Sequence, residues 1–314
     1  MAPFVPRVEG FDGLRDKVLV ITGGANGIGA ATVRLFHDHG ALVVFGDTAV
    51  GAGQALSSSL GDRATFVSTD VTDYAANVTL FKTAFQKYGK IDHAVSCAGI
   101  MVPGADWFDD LSIESVEQPL PDIVLDVNLK AVAYFARVAV AYLKHRGDSV
   151  GGDSAKSLTF TSSDMIFCNT RRVPLYQVRS ALGQAEKLPL NESPGLTYPK
   201  TSKSGVLTLA RTLSTTSLSQ HGVRVNTLLP NMTATQMWAP LLGLWHEQKL
   251  PVNQPEDLAR FFAGLAMDEK AHGLAIAVTG GEGWDIEAGL RETMPTWCGP
   301  ERAEALLAVG RLMG

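Results

Sequence analysis

Thr22-Gly23-Gly24-Ala25-Asn26-Gly27-Ile28-Gly29 stands between an apolar run and the start of a helical pattern. Glycines at that place let the backbone turn tightly and approach a pyrophosphate, whose charge then meets the amides of a helix N-terminus. A bare glycine triplet is a weak signal, but the strand–turn–helix setting raises it to a dinucleotide site. Gly23, Asn26, Gly27, Ile28 and Gly29 are thus expected to bind a dinucleotide. Asp47 closes the next apolar run, in Phe45-Gly46-Asp47. A carboxylate there accepts hydrogen bonds from the adenosine ribose and repels a 2′-phosphate. No lysine or arginine follows within residues 48–57, so the pattern favours NAD over NADP. The competing reading of Asp47 is a loop carboxylate capping the following helix.

Apolar runs and helical patterns alternate around these residues. Strands are predicted at Lys17–Thr22, Ala41–Gly46, Ala64–Thr69, Ile91–Ser96, Ser157–Ser162, Val223–Leu229 and Leu274–Val278. Helices are predicted over Gly27–His39, Val50–Leu60, Asp73–Tyr88, about Leu120–Arg146 and about Thr201–Gln220, with shorter ones between Thr235 and Met267. Crossovers of that length imply a parallel, doubly wound α/β sheet of about seven strands, a Rossmann-type fold in a single domain. Such sheets bind ligands at the carboxyl ends of their strands. We expect a leader over residues 1–16, a dinucleotide-binding domain over 17–290 and a helical extension over 291–314.

The bulk numbers allow this and exclude other classes. A chain of 314 residues with 46% hydrophobic residues can bury a large core, and a net charge of −5 argues against nucleic acid or an acidic membrane as partner. Cys97, Cys168 and Cys298 are too widely spaced for a disulfide framework or a metal site. His37 and His39 diverge on a helix, so no metal is expected there. With no apolar leader and no spanning stretch, the expectation is a soluble, cytoplasmic protein without membrane attachment.

Further motifs carry a family resemblance. T-G-x-x-x-G-x-G at residues 22–29, Asp70-Val71, Ala98-Gly99 and Asn128 resemble the short-chain dehydrogenase/reductase family over about residues 15–290. The ending Gly280-Gly281-Glu282-Gly283-Trp284-Asp285-Ile286-Glu287 is similar to the branch that includes 15-hydroxyprostaglandin dehydrogenase. The resemblance implies that Asp70 and Val71 hold the adenine, that Ala98 and Gly99 line the cofactor, and that Thr235 holds the nicotinamide amide. It also implies a homodimer or homotetramer. Two positions depart from it: Cys97 replaces the asparagine of an N-A-G motif, and Asn231 follows Pro230 where glycine is usual.

The family's chemistry uses a tyrosine as acid and base, its pKa lowered by a neighbouring lysine ammonium. By this resemblance Ser163 bonds the substrate oxygen, Asn128 holds a water on the lysine, and Lys203, in Thr201-Ser202-Lys203, is the lysine, which also contacts the cofactor. The tyrosine belongs four residues before Lys203, but that position is Pro199. Tyr198 is five residues away and would point about 140° from the lysine on a helix. Tyr176 stands 13 residues after Ser163, at the family distance. Removing residues 178–200 leaves Tyr176-Gln177-Thr201-Ser202-Lys203, an intact Y-x-x-x-K. Tyr176 is therefore the expected catalytic tyrosine, with Tyr198 as alternative, and the motif reads as split by an insertion. Val178-Arg179 and Lys200 are compatible with splice-site codons, so a retained intron is one origin; a functional loop is the other.

Met232, Met237, Trp238, Leu241, Leu242, Leu244 and Trp245 follow the sixth strand and suit an apolar small-molecule substrate with one carbinol or carbonyl. Core packing explains them equally well. Asp164 either faces the same cleft as a substitute proton donor or caps the loop. The expected function is hydride transfer between NAD(H) and a secondary alcohol or ketone. The split motif leaves a dinucleotide-binding pseudoenzyme, or a redox-silent cyclase or isomerase, as alternatives.

Overall fold

The structure, a computed structural model, describes residues 2–6, 8–101, 112–117, 122–145, 156–167 and 197–313. Among them, nine strands form one sheet: β1 (Ala2–Pro3), β2 (Val18–Thr22), β3 (Leu42–Asp47), β4 (Ala64–Ser68), β5 (His93–Ser96), β6 (Lys156–Thr161), β7 (Val223–Pro230), β8 (Ala275–Thr279) and β9 (Glu282–Asp285). Their spatial order is β1-β9-β8-β7-β6-β5-β2-β3-β4. The seven from β2 to β8 are all parallel and correspond to the seven expected. Residues of β2 and β7 are buried throughout, because helices cover both faces of the sheet.

The helices are α1 (Gly27–Asp38), α2 (Val50–Leu60), α3 (Tyr74–Tyr88), α4 (Ala131–Leu143), α5 (Thr197–His221), α6 (Ala239–Glu247), α7 (Pro255–Met267), α8 (Ile286–Cys298) and α9 (Pro300–Met313). On one face, Val33 and Phe36 of α1 pack with Leu258, Phe261 and Phe262 of α7. On the other, Phe81 of α3, Phe135 of α4 and Val206 and Ala210 of α5 form a second core. The chain leaves β2 toward β3 and β4, then returns to β5 on the opposite side. That reversal opens a crevice at the carboxyl ends of β2 and β5.

Several expectations change. The helix expected over Leu120–Arg146 is interrupted: a turn at Ile123–Leu125 and a π-helical stretch, Asp126–Lys130, precede α4. Such bulges accommodate one extra residue and recur at functional sites. Helix α5 begins at Thr197 rather than Thr201. Pro199 does not stop it, since first-turn amides have no intrahelical acceptor to lose. Beyond the seven strands, Gly280 and Gly281 both take positive φ (60° and 80°) and join β8 to an antiparallel β9. Paired positive φ values are the geometry of a tight primed hairpin, which two glycines adopt without strain. Residues 1–16, expected as a leader, are built into the fold where described: β1 pairs with β9, and Phe11 and Leu14 are buried in the core.

Candidate active site

A cavity of about 800 Å³ runs along the strand ends, from the glycine turn after β2 to the segment after β7. Its floor is shaped by what glycine lacks. A Cβ on Gly23, where φ is 69°, would come within 2.8 Å of the Ala98 backbone. One on Gly29 would overlap the Gly23 carbonyl, and one on Gly27 would press on Thr235 at 3.1 Å. This is a cradle in which backbone can approach a ligand closely, at the N-terminus of α1. Asp47 closes one end. Its carboxylate accepts the Ala25 amide at 3.0 Å and the Ala49 amide at 2.9 Å. The carboxylate therefore clamps the glycine turn to the end of β3 while also lining the cavity. Asp70 accepts the Thr72 amide and hydroxyl at 2.9 and 2.7 Å, so its side chain shapes the turn after β4. Asp70, Val71, Ala98, Gly99 and Thr235 all border the same cavity, as do Gly23, Asn26, Gly27, Ile28 and Gly29.

At the other end lie Asn128, Ser163 and Lys203. Asn128 is buried in the π-helical stretch, and its amide makes two bonds of 2.8 Å to the Ile100 backbone, one to N–H and one to C=O. Those bonds fix the loop after β5. Lys203 donates from Nζ to the Thr161 carbonyl at 3.0 Å. Ser162 bonds the Lys203 carbonyl at 2.7 Å, tying α5 to the end of β6. Burial pushes the Lys203 ammonium down to about 8. A Cβ on Gly99 would sit 3.3 Å from both Asn128 Oδ1 and Lys203 Nζ, so the three residues meet at one spot. Ser163 donates to the Pro230 carbonyl and accepts the Met165 amide, each at 3.3 Å. Both bonds are long, which leaves the hydroxyl easy to redirect.

Tyr176 and residues 177–196 lie outside the described residues. Tyr198 lies in the first turn of α5. Asp164 does not line the cavity; it turns toward Asn231 and Thr279.

Met232, Trp238 and Trp245, expected on the substrate side, do border the cavity, and Met101, Met165 and Lys200 join them there. Met101, Met165, Met232, Trp238 and Trp245 pack together above the crevice. The methionine and tryptophan content after β7 signalled part of this wall; Met101 and Met165, on other strand ends, carried no local signal. Cys97 lines the cavity too, and burial pushes its thiol up to about 11, so it is a neutral thiol at physiological pH. Among the described residues no cluster of three or more His, Cys, Asp or Glu is placed to hold a metal, and no helix is long and apolar enough to cross a membrane.

Comparison with known proteins bears on this geometry. Residues 17–158 match the family model described as short chain dehydrogenase. A short-chain dehydrogenase/reductase from Acremonium egyptiacum, ascJ, is 30% identical over 87% of this chain and 82% of its own length. The chain belongs to the short-chain dehydrogenase/reductase family. Its relatives include a cis-4-hydroxycyclohexanecarboxylate dehydrogenase from Sinomonas cyclohexanicum, 30% identical over 85% of this chain and 96% of that protein. The crystal structure of a short-chain dehydrogenase/reductase of the glucose/ribitol dehydrogenase kind from Brucella melitensis shares the fold with a TM-score of 0.66 at 23% identity, covering 85% of this chain and 96% of that one. This member of the family is an oxidoreductase of the type that acts on alcohols and ketones, with NAD(P) as the family's cofactor.

Proposed function

We propose that this dehydrogenase/reductase transfers hydride between NAD(H) and a secondary alcohol or ketone on a largely apolar small molecule. The observation that carries the reading is the meeting of Lys203 Nζ, Asn128 and Gly99 at one end of a cavity whose other end is the glycine cradle and Asp47. The cradle fits a dinucleotide, because its glycines take a tight turn that side chains would block, at Gly23 against the Ala98 backbone and at Gly29 against the Gly23 carbonyl, and that turn brings backbone amides to the N-terminus of α1, where a pyrophosphate can be met. NAD, when bound, supplies the hydride acceptor. In this reading Gly23, Asn26, Gly27, Ile28 and Gly29 hold its phosphates, Asp47 its adenosine ribose, Asp70 and Val71 its adenine, and Ala98, Gly99, Lys203 and Thr235 its nicotinamide half.

The chain's own residues handle the oxygen and its proton. Ser163 turns its hydroxyl from Pro230 toward the substrate oxygen. Tyr176 takes the hydroxyl proton in oxidation and returns it in reduction, and a positive charge on Lys203 lowers the cost of its phenolate. Asn128 holds the loop at Ile100 that faces them. The wall of Met101, Met165, Met232, Trp238 and Trp245 excludes water and favours an apolar substrate body. Residues 178–200 separate Tyr176 from Lys203 in sequence, and we read them as an insertion, either a retained intron or a functional loop.

Calorimetric titration tests the cofactor assignment. NAD should bind at least about tenfold more tightly than NADP, since a carboxylate beside a 2′-phosphate costs more than about 1.4 kcal/mol, and Asp47→Ala should narrow the gap. Equal affinities for the two would overturn it. Turnover is read as NADH absorbance over a panel of secondary alcohols.

A further inference from the structure

Beside the bond of Ser163 to the end of β7, its neighbour Asp164 makes a second tie, to Asn231 just past that strand. The backbone pairing of β6 and β7 ends where the Ser162 amide meets the Leu228 carbonyl. Past that point the strand ends are joined by side chains. Ser163 Oγ bonds the Pro230 carbonyl, and Asn231 Nδ2 donates to Asp164 Oδ2 at 2.7 Å. Thr279 Oγ1 donates to the same oxygen at 3.3 Å. Asn231 Oδ1 accepts the amide of Met232, which fixes the orientation of the side-chain amide. Asp164 Oδ1 is buried without a hydrogen-bond partner among the described residues. An orphaned carboxylate oxygen is costly to keep inside a fold and calls for a reason. Asn231, Met232, Met165 and Ile166 line the cavity, while Asp164 stands behind them.

We propose that Asp164 is a positioning residue: by holding Asn231 it fixes the Pro230–Met232 turn against Ser163, and so sets the cavity wall that meets the reacting end of the substrate. This rests on the dehydrogenase reading for the identity of the substrate end, but the hydrogen-bond geometry stands without it. A carboxylate–amide bond is stronger than an amide–amide one, which suits a tie that must hold two strand ends beyond their ladder. Burial pushes the Asp164 carboxyl up to about 6, against the opposing pull of Asn231 and Thr279. The titratable groups on the elements around it are Tyr198, Lys200, Lys203, Arg211 and, at the far end, His221 on α5, Arg224 at the far end of β7, and Asp285 and Glu287 at the start of α8. Among the described residues none forms an ion pair with it, Arg211 being paired with Glu287. The tie should therefore change character near neutral pH.

The test uses the full chain labelled with ¹⁵N. The Asn231 side-chain amide, assigned by its loss in Asn231→Gly, should titrate with a midpoint near 6 and lose that response in Asp164→Asn. With cyclohexanol as probe, Asp164→Ala should raise KM about tenfold, the loss of one charge-assisted bond, and leave NAD affinity within about twofold. Asp164→Asn, whose amide oxygen accepts the same N–H, should recover most of that KM. An Asn231 amide indifferent to both substitutions overturns the proposal, as does an Asp164→Ala variant that loses thermal stability with KM and the Asn231 signal unchanged. If no alcohol is turned over, the hydride-transfer reading fails on its own, and the amide titration still decides the role of Asp164.

Discussion

A single methyl group at residue 99 would touch the two atoms on which the site depends. Alanine there places Cβ 3.3 Å from Asn128 Oδ1 and Lys203 Nζ, tighter than ordinary van der Waals contact. Asn128 cannot give, because both halves of its amide are bonded to Ile100. Lys203 can, since one bond to the Thr161 carbonyl holds its head. Gly99→Ala should thus shift the lysine by a few tenths of an ångström and cut kcat several-fold, a fraction of the roughly hundredfold that a misplacement of about 1 Å can cost, while the melting temperature moves little. Steady-state kinetics and a thermal melt on the same sample check this; an unchanged kcat would show that Lys203 has slack. What could be read in the sequence at this scale was local. The glycines of the cradle and Asp47 announce themselves because backbone turn, helix N-terminus and strand end are adjacent in the chain. The grip of Asn128 on Ile100 spans 28 residues, and that of Asp164 on Thr279 spans 115. Contacts made only when distant strand ends come together leave no spacing rule to find.

Among elements, α5 joins the two halves of the site. It starts at Thr197, four residues ahead of the expected Thr201, so Tyr198 and Pro199 occupy its first turn. Helical periodicity located its body, but propensity could not set its start, because a proline is neutral in a first turn and prohibitive later. The parallel strands were legible for a simpler reason: most are short runs buried on both faces, the edge strand β4 alone being mostly half-buried. The β8–β9 hairpin was not among the expected elements, because β9 is only Glu282–Asp285 and shows no apolar run. The split motif gives the prediction that belongs here. Deleting residues 178–200 joins Gln177 to Thr201 and sets Tyr176 four residues, one helical turn, before Lys203. The shorter connection also lowers loop-closure entropy. Turnover should rise up to about a hundredfold and the melting temperature should rise with it. A deletion variant that is less stable, or that loses an activity of the full chain, would make the segment a functional loop and end the retained-intron reading.

The whole molecule separates chemistry from anchoring along the strands. Every cavity residue lies at the carboxyl ends, while the opposite ends are bound by a network around Asp92. That carboxylate is buried and accepts Lys156 Nζ at 2.7 Å, Lys90 Nζ at 3.2 Å and the Val18 amide at 2.8 Å. Burial alone would raise its pKa; the Lys156 bond overrides this and holds the carboxyl well below the usual range. The N-terminal segment serves the same anchoring end and the far edge. Phe11 and Leu14 fill the core beneath α1 and α7, the Phe4 amide bonds the Gly283 carbonyl at 2.8 Å, and β1 covers β9. Truncating residues 2–14 would remove two fully buried side chains, each contributing about 1.5–3 kcal/mol. It would also bare the β9 edge, which invites pairing with other chains. The truncated protein should therefore lose at least about 3 kcal/mol, about 4 °C or more in melting temperature at about 1.5 °C per kcal/mol for a chain of 314 residues, and aggregate more readily on heating. Its affinity for NAD, measured where the protein remains folded, should stay within about twofold of the full chain, a change below about 0.4 kcal/mol. A truncation that weakened NAD binding as strongly as it lowered the melting temperature would show that the anchoring end and the site are not separable.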